Sequence, residues 1–186
     1  MITALVDYES GNLHSAEKAF QRMAAEHGGE IIVTSDPATV ARADRIVLPG
    51  DGAFPACRTG LAGYDGLFEA IEEAVITIGR PFLGICVGMQ MLASWGREYE
   101  DTAGFDWIAG EVVRSTPDDP ALKVPHMGWN DLVITGTHPV LEGVQTGDHA
   151  YFVHSFQFHT EETSETLAQV AYGGDVTALV ARDNVL

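Results

Sequence analysis

Short apolar runs alternate with helically spaced apolar positions through the first half of the chain. "ITALVDY" (2–8), "EIIVTS" (30–35), "RIVLPG" (45–50) and "PFLGIC" (81–86) are rich in Val, Ile and Leu, as strands buried on both faces are. Between them, Leu13, Ala16, Phe20, Met23 and Ala24 recur at helical spacing behind Ser10, a residue type suited to cap the helix. Leu67, Ile71, Ala74, Val75 and Ile78 repeat that spacing before the fourth run. Alternating strands and helices predict an α/β fold: an open, mostly parallel sheet with helices on both faces. The second half changes period. "WIAGEVV", "DLVIT", "HAYFVHSFQF", "TLAQVAY" and "VTALVARD" are strand-like and separated by turns such as "TGTHP", "QTGD" and "YGGD". These predict a mixed or antiparallel extension of the same sheet. No repeat, low-complexity tract or linker interrupts residues 1–186, so one domain is expected.

Composition narrows the function. The 186 residues are 46% hydrophobic, enough for one sizeable core. Twenty-seven acids against 10 bases give a net charge of −17, which disfavours nucleic acid and anionic membranes as partners. The amino terminus turns polar after six residues and no apolar run reaches about 18, so neither a signal peptide nor a spanning helix is predicted and a cytoplasmic protein is expected. Cys57 and Cys86 are expected to be free thiols, and neither belongs to a metal-binding pattern. No cofactor is implied.

The chemistry centres on "GICVG" (84–88). Gly84 and Gly88 stand two residues before and after Cys86, where a strand passes into a helix, the spacing of a nucleophile elbow. That places the thiol at the carboxyl edge of the sheet, where open α/β sheets bind ligands. Amide N–H groups and the positive end of the following helix would favour the thiolate, and the Val87 amide could face a developing oxyanion. A cysteine packed as a small hydrophobe is the competing reading. A second glycine turn, "LPGDGAF" (48–54), offers the amides of Gly50, Asp51 and Gly52 as further oxyanion donors. With no GK[ST] after these glycines, a phosphate-binding P-loop is disfavoured.

"GICVGMQML" resembles the nucleophile motif of class I glutamine amidotransferases, and "LPGDGAF" resembles their oxyanion loop. "DYESGNLHS" (7–15), "KVPHMGWN" (123–130) and "YFVHSF" (151–156) are similar to motifs of the glutaminase subunits of imidazole glycerol phosphate synthase, and the likeness runs in order along the whole chain. The resemblance implies that Cys86 attacks the side-chain amide of glutamine, giving a thioester that water cleaves to glutamate, and that ammonia passes to a cyclase subunit, a (β/α)₈ barrel, which makes imidazole glycerol phosphate and AICAR in histidine biosynthesis. It further implies glutamine binding by Gln90, one helical turn beyond the nucleophile, and by His154, Ser155 and Phe156. Asn12 and Trp129 would face the cyclase in a heterodimer. Two positions depart from the family pattern: Phe156 stands where a tyrosine is common, and Asp51 where a small apolar residue is frequent.

The family takes its general base from a later "GxQFHPE" segment, whose histidine deprotonates the thiol. "FQFHTEE" (156–162) is a poor substitute: it lacks the proline and lies on the substrate-binding strand. "LVARDNVL" resembles the lead-in to that segment, so the catalytic His and Glu are expected beyond Leu186. His126 reads as a structural or supporting residue and Cys57 as a structural one. Another α/β thiol hydrolase, or a catalytically silent domain of amidotransferase shape, would share much of this pattern.

Overall fold

The computed structural model describes all residues, Met1–Leu186. The backbone forms two compact units, Met1–Met91 with Asp183–Leu186 and Leu92–Arg182.

In the first unit β1 (Ile2–Val6), β2 (Glu30–Thr34), β3 (Arg45–Gly50) and β4 (Phe82–Cys86) make a parallel sheet in the order β2-β1-β3-β4. Ala4, Leu5, Val6, Ile46, Val47 and Leu48 are buried, which is why β1 and β3 read as unbroken apolar runs. Strand order reverses at β1: the chain steps outward to β2 and then returns to β3 on the other side. The carboxyl ends of β1 and β3 therefore flank a switch point, where this architecture opens a crevice.

The helices are α1 (Leu13–His27), α2 (Pro37–Arg42), α3 (Phe54–Ala62), α4 (Leu67–Glu72) and the single turn α5 (Val87–Gln90). Two sequence expectations need correction here. The cap of α1 is Asn12, whose side-chain oxygen accepts the Ser15 N–H at 3.2 Å, and not Ser10. Beyond α4 the chain widens into a π turn over Glu73–Thr77, with the Ile78 N–H reaching the Glu73 carbonyl at 3.0 Å. Leu67, Ile71, Ala74 and Val75 are buried as their spacing predicts, but the wider turn carries Ile78 out of phase and leaves it exposed.

The second unit contains β5 (Trp95–Gly96), β6 (Thr102–Ala103), β7 (Gly110–Arg114), β8 (His126–Asp131), β9 (Val133–Ile134), β10 (His149–His154), β11 (Phe156–Thr160), β12 (Thr166–Ala171) and β13 (Asp175–Val180). They form a mixed sheet β11-β7-β5-β6, an antiparallel sheet β13-β12-β9 and an antiparallel ribbon β10-β8. The mixed and antiparallel character agrees with the sequence pattern. Its attachment differs, because these strands do not extend the parallel sheet. The free edge of β4 is instead taken by the last residues of the chain: the Phe82 N–H donates to the Asn184 carbonyl at 2.9 Å, Gly84 to Leu186 at 2.7 Å and Leu186 back to Phe82 at 3.0 Å. No helix is long and apolar enough to cross a membrane.

Asn184 anchors that edge by donating its side-chain amide to the carbonyls of Val75, at 2.9 Å, and Arg80, at 2.7 Å. Asn184→Ala should lower stability by about 1–3 kcal/mol, the cost of leaving part-buried carbonyls unpaired. Urea unfolding measures this, and an unchanged midpoint would show that the backbone bonds alone hold the edge.

Candidate active site

Cys86 has φ 57° and ψ −116°, a backbone conformation that a non-glycine residue adopts only under strain. Strain of this kind costs about 1–3 kcal/mol and persists only where the surroundings enforce it. The enforcing contact is backbone against backbone. A Cβ on Gly88 would overlap the carbonyl oxygen of Leu48, and one on Gly84 would lie 2.6 Å from the Gly88 carbonyl. On the neighbouring strand, a Cβ on Gly50 would come within 2.7 Å of the Gly88 nitrogen. Three glycines thus let the turn after β4 close against β3. The chain must then reverse at residue 86, which lifts the thiol out of the sheet edge.

Gly50 is the register partner of Cys86 across β3 and β4, so the loop Gly50–Asp51–Gly52 begins level with Cys86. That loop is stapled to the segment after β1. The Asp51 N–H donates to Ser10 Oγ at 3.0 Å, and the Ser10 hydroxyl donates to the Asp51 carbonyl at 2.9 Å. Buried Cys57, on α3, lies 3.2 Å from Ser10 Oγ and 3.5 Å from the Asp51 carbonyl. Beneath them, the Tyr8 hydroxyl donates to the Pro49 carbonyl at 2.7 Å, and burial, with the nearby Cys57, holds this phenol well above its ordinary range. The local sequence around Tyr8, Ser10 and Cys57 does not mark them as neighbours of this loop. The one available signal was that "DYES" follows a strand ending at the same sheet edge.

The sulfur of Cys86 is open to solvent on one side, but the atoms crowding its other sides push the thiol up. A hydrogen bond from the Val87 N–H acts in the opposite direction, while the charges of Asp51 and Cys57 add to the rise. The thiolate expected from the helix end is therefore not favoured: α5 is a single turn, too short to sum its peptide dipoles, and the one effective donor is Val87. Gln90 is buried on α5. No group of three or more His, Cys, Asp or Glu is placed to hold a metal ion.

The remaining expected residues lie in the second unit, except for Asn12 on the amino-terminal segment of the first. His154 ends β10, Ser155 breaks the strand and Phe156 begins β11, so the three form the joint between the ribbon and the mixed sheet. His126 stands opposite His154 in the ribbon, with Nδ1 3.0 Å from His154 Nε2. The other face of the ribbon is apolar and open: Met127, Trp129, Tyr151 and Val153 are all exposed, with Trp129 at 71%, edge-on to Tyr151. His159 is exposed on β11 opposite Glu111 and borders an acidic hollow with Arg97, Asp106 and Glu161.

The family model of class-I glutamine amidotransferases matches residues 4–185. The chain is 66% identical to the imidazole glycerol phosphate synthase subunit HisH of Cereibacter sphaeroides and 64% identical to that of Ruegeria pomeroyi, in both cases over 100% of this chain and 88% of the relative. A solved glutamine amidotransferase superimposes with a TM-score of 0.71 at 19% identity, over 98% of this chain and 86% of that one. Another, from Thermotoga maritima, gives 0.60 at 16% identity, over 93% and 72%.

The position of Asp51 makes a signed prediction. Its carboxylate raises the Cys86 pKa, so Asp51→Asn should shift the pH profile of thiol alkylation at Cys86 to lower pH, leaving more thiolate at any pH on the rising limb. Iodoacetamide rates from pH 6 to 10 measure it. A profile shifted upward would contradict the charge argument.

Proposed function

The chain belongs to the class-I glutamine amidotransferase family, and on that premise we propose that Cys86 carries the hydrolysis of glutamine at the elbow between β4 and α5. Its function within the family is that of the glutaminase subunit of imidazole glycerol phosphate synthase, supplying ammonia to the cyclase subunit in histidine biosynthesis. The observation that carries the site assignment is the left-handed backbone at Cys86, enforced by the contacts of Gly84 and Gly88. A buried structural cysteine has no use for that strain.

In the first step Sγ of Cys86 bonds to the side-chain carbonyl carbon of glutamine. The thiol proton passes through a general base to the leaving nitrogen, the carbon–nitrogen bond breaks, and ammonia departs from a thioester. Water then adds to the thioester, the carbon–sulfur bond breaks, and glutamate leaves with the thiol restored. The Val87 N–H, already aimed at the sulfur, supplies one oxyanion donor, and an amide of the Gly50–Asp51–Gly52 loop supplies the other. The Asp51 N–H is spoken for by Ser10 in this conformation, so the donor falls to Gly50 or Gly52. Gln90 and the His154–Ser155–Phe156 joint are assigned to glutamine binding. The cyclase subunit is assigned to the open ribbon face around Trp129, and Asn12 is assigned to the same partner.

In a chain that carries the catalytic His and Glu of the family motif, Cys86→Ala should abolish glutamine hydrolysis and leave the unfolding free energy within about 1 kcal/mol of the parent, since residue 86 is exposed and the change removes a single atom. Trp129→Ala should weaken cyclase association at least about tenfold, as loss of an aromatic anchor does, with little change in melting temperature. A large loss of stability with unchanged affinity would place the indole in a structural role. His159→Ala, on an exposed ladder position, should change turnover by less than about twofold, whereas general-base loss costs about 10²–10⁴-fold.

A further inference from the structure

We propose that His126 is a positioning residue for glutamine: with His154 it forms a one-directional hydrogen-bond array that fixes the carbonyl of Phe156. The inference rests on the assignment of the His154–Ser155–Phe156 joint to substrate binding and adds a residue that contacts no substrate.

The direction of the array follows from its last member. His154 Nδ1 lies 3.0 Å from the Phe156 carbonyl, which can only accept, so Nδ1 carries the proton. In a neutral ring Nε2 is then a bare acceptor, and His126 Nδ1, 3.0 Å away, must be its donor. That leaves His126 Nε2 as an acceptor, and Asn130 Nδ2 stands 3.4 Å from it while also donating to the Ala171 carbonyl at 3.0 Å. One N–H per ring points the same way along the whole chain. Reversing either ring would set two donors, or two lone pairs, face to face.

The first ring is also closely packed. His126 is 3% exposed and lies between Phe152, with centroids 5.0 Å apart and planes 8° apart, and Tyr172, at 3.9 Å and 21°. Tyr172 is held in turn by its hydroxyl, which donates to the Lys123 carbonyl at 2.8 Å. Burial keeps both imidazoles below the ordinary histidine range, in agreement with two neutral rings. Packing alone does not require this arrangement. Two imidazoles are costlier to desolvate than aliphatic side chains of similar size, and a buried polar array adds a defined orientation where an apolar contact adds none. The orientation is delivered to one place, the joint where the chain leaves the ribbon and enters the mixed sheet. There the Ser155 carbonyl is fixed independently by the Ser115 N–H at 2.9 Å.

Steady-state glutaminase kinetics with the cyclase subunit test the proposal on a parent chain that carries the catalytic His and Glu of the family motif, and on its His126→Leu and His126→Asn variants. The Asn side chain can place an N–H near the position of Nδ1, and Leu cannot. His126→Leu should raise KM for glutamine about tenfold with kcat within about twofold, the signature of lost binding contacts. His126→Asn should restore KM to within about threefold of the parent. A parent KM in the Leu variant, or equal losses in both variants, would overturn the proposal and leave the glutaminase reading intact. A parent protein that hydrolyses no glutamine with the cyclase present would instead defeat the reading, and the proposal with it. Should the Leu variant fail to fold, nitrogen NMR of the parent decides: protons on Nδ1 of both His126 and His154 are expected, and an Nε2 proton on His154 would overturn the array.

Discussion

The approach of the Gly88 backbone to the Leu48 carbonyl is the contact on which the site depends. No residue with a Cβ can occupy position 88 without displacing β3 or the turn after β4. Because the turn is held that close, Cys86 has no room for an extended backbone and takes φ 57°. The strain costs stability that the buried apolar strands on either side of it offset. The same closeness brings Gly50, the first residue of the proposed oxyanion loop, into register with Cys86. The proposed nucleophile and the proposed donor loop thus share one backbone constraint.

Electrostatics at the site are less favourable than its geometry. Crowding and the Asp51 carboxylate both act against the thiolate, and the Val87 N–H opposes them. A thiol that stays protonated needs a base to remove its proton before it can attack. The staple through Ser10 and Cys57 fixes the backbone of Asp51, the residue whose charge acts on the thiol.

The elbow was legible in the sequence because every part of it is local: two glycines, a cysteine and a switch from strand to helical periodicity within nine residues. The buried strands were legible for the same reason. The features that local sequence does not carry are set by long-range contact. Ser10 has the composition of a helix cap, but its hydroxyl meets Asp51, 41 residues away, and the capping falls to Asn12. Ile78 continues the apolar spacing of α4, yet a π turn, decided by how the helix end packs, rotates it outward. "HAYFVHSFQF" reads as one strand and is two, because Ser155 bonds to Ser115 at the change of sheet. His126 carried no local sign of its partner, since only the antiparallel register of β8 and β10 places it against His154.

The central claim is that backbone geometry, and not thiol content, selects the reacting cysteine. Cys57 lies within the same supporting network, so the two thiols form an internal comparison. Peptide mass spectrometry after treatment with a glutamine-analogue alkylator, such as a diazo-ketone, tests the claim most directly. The geometry predicts stoichiometric label on Cys86, protection by glutamine and no label on buried Cys57; label on Cys57, or label on Cys86 indifferent to glutamine, would contradict it.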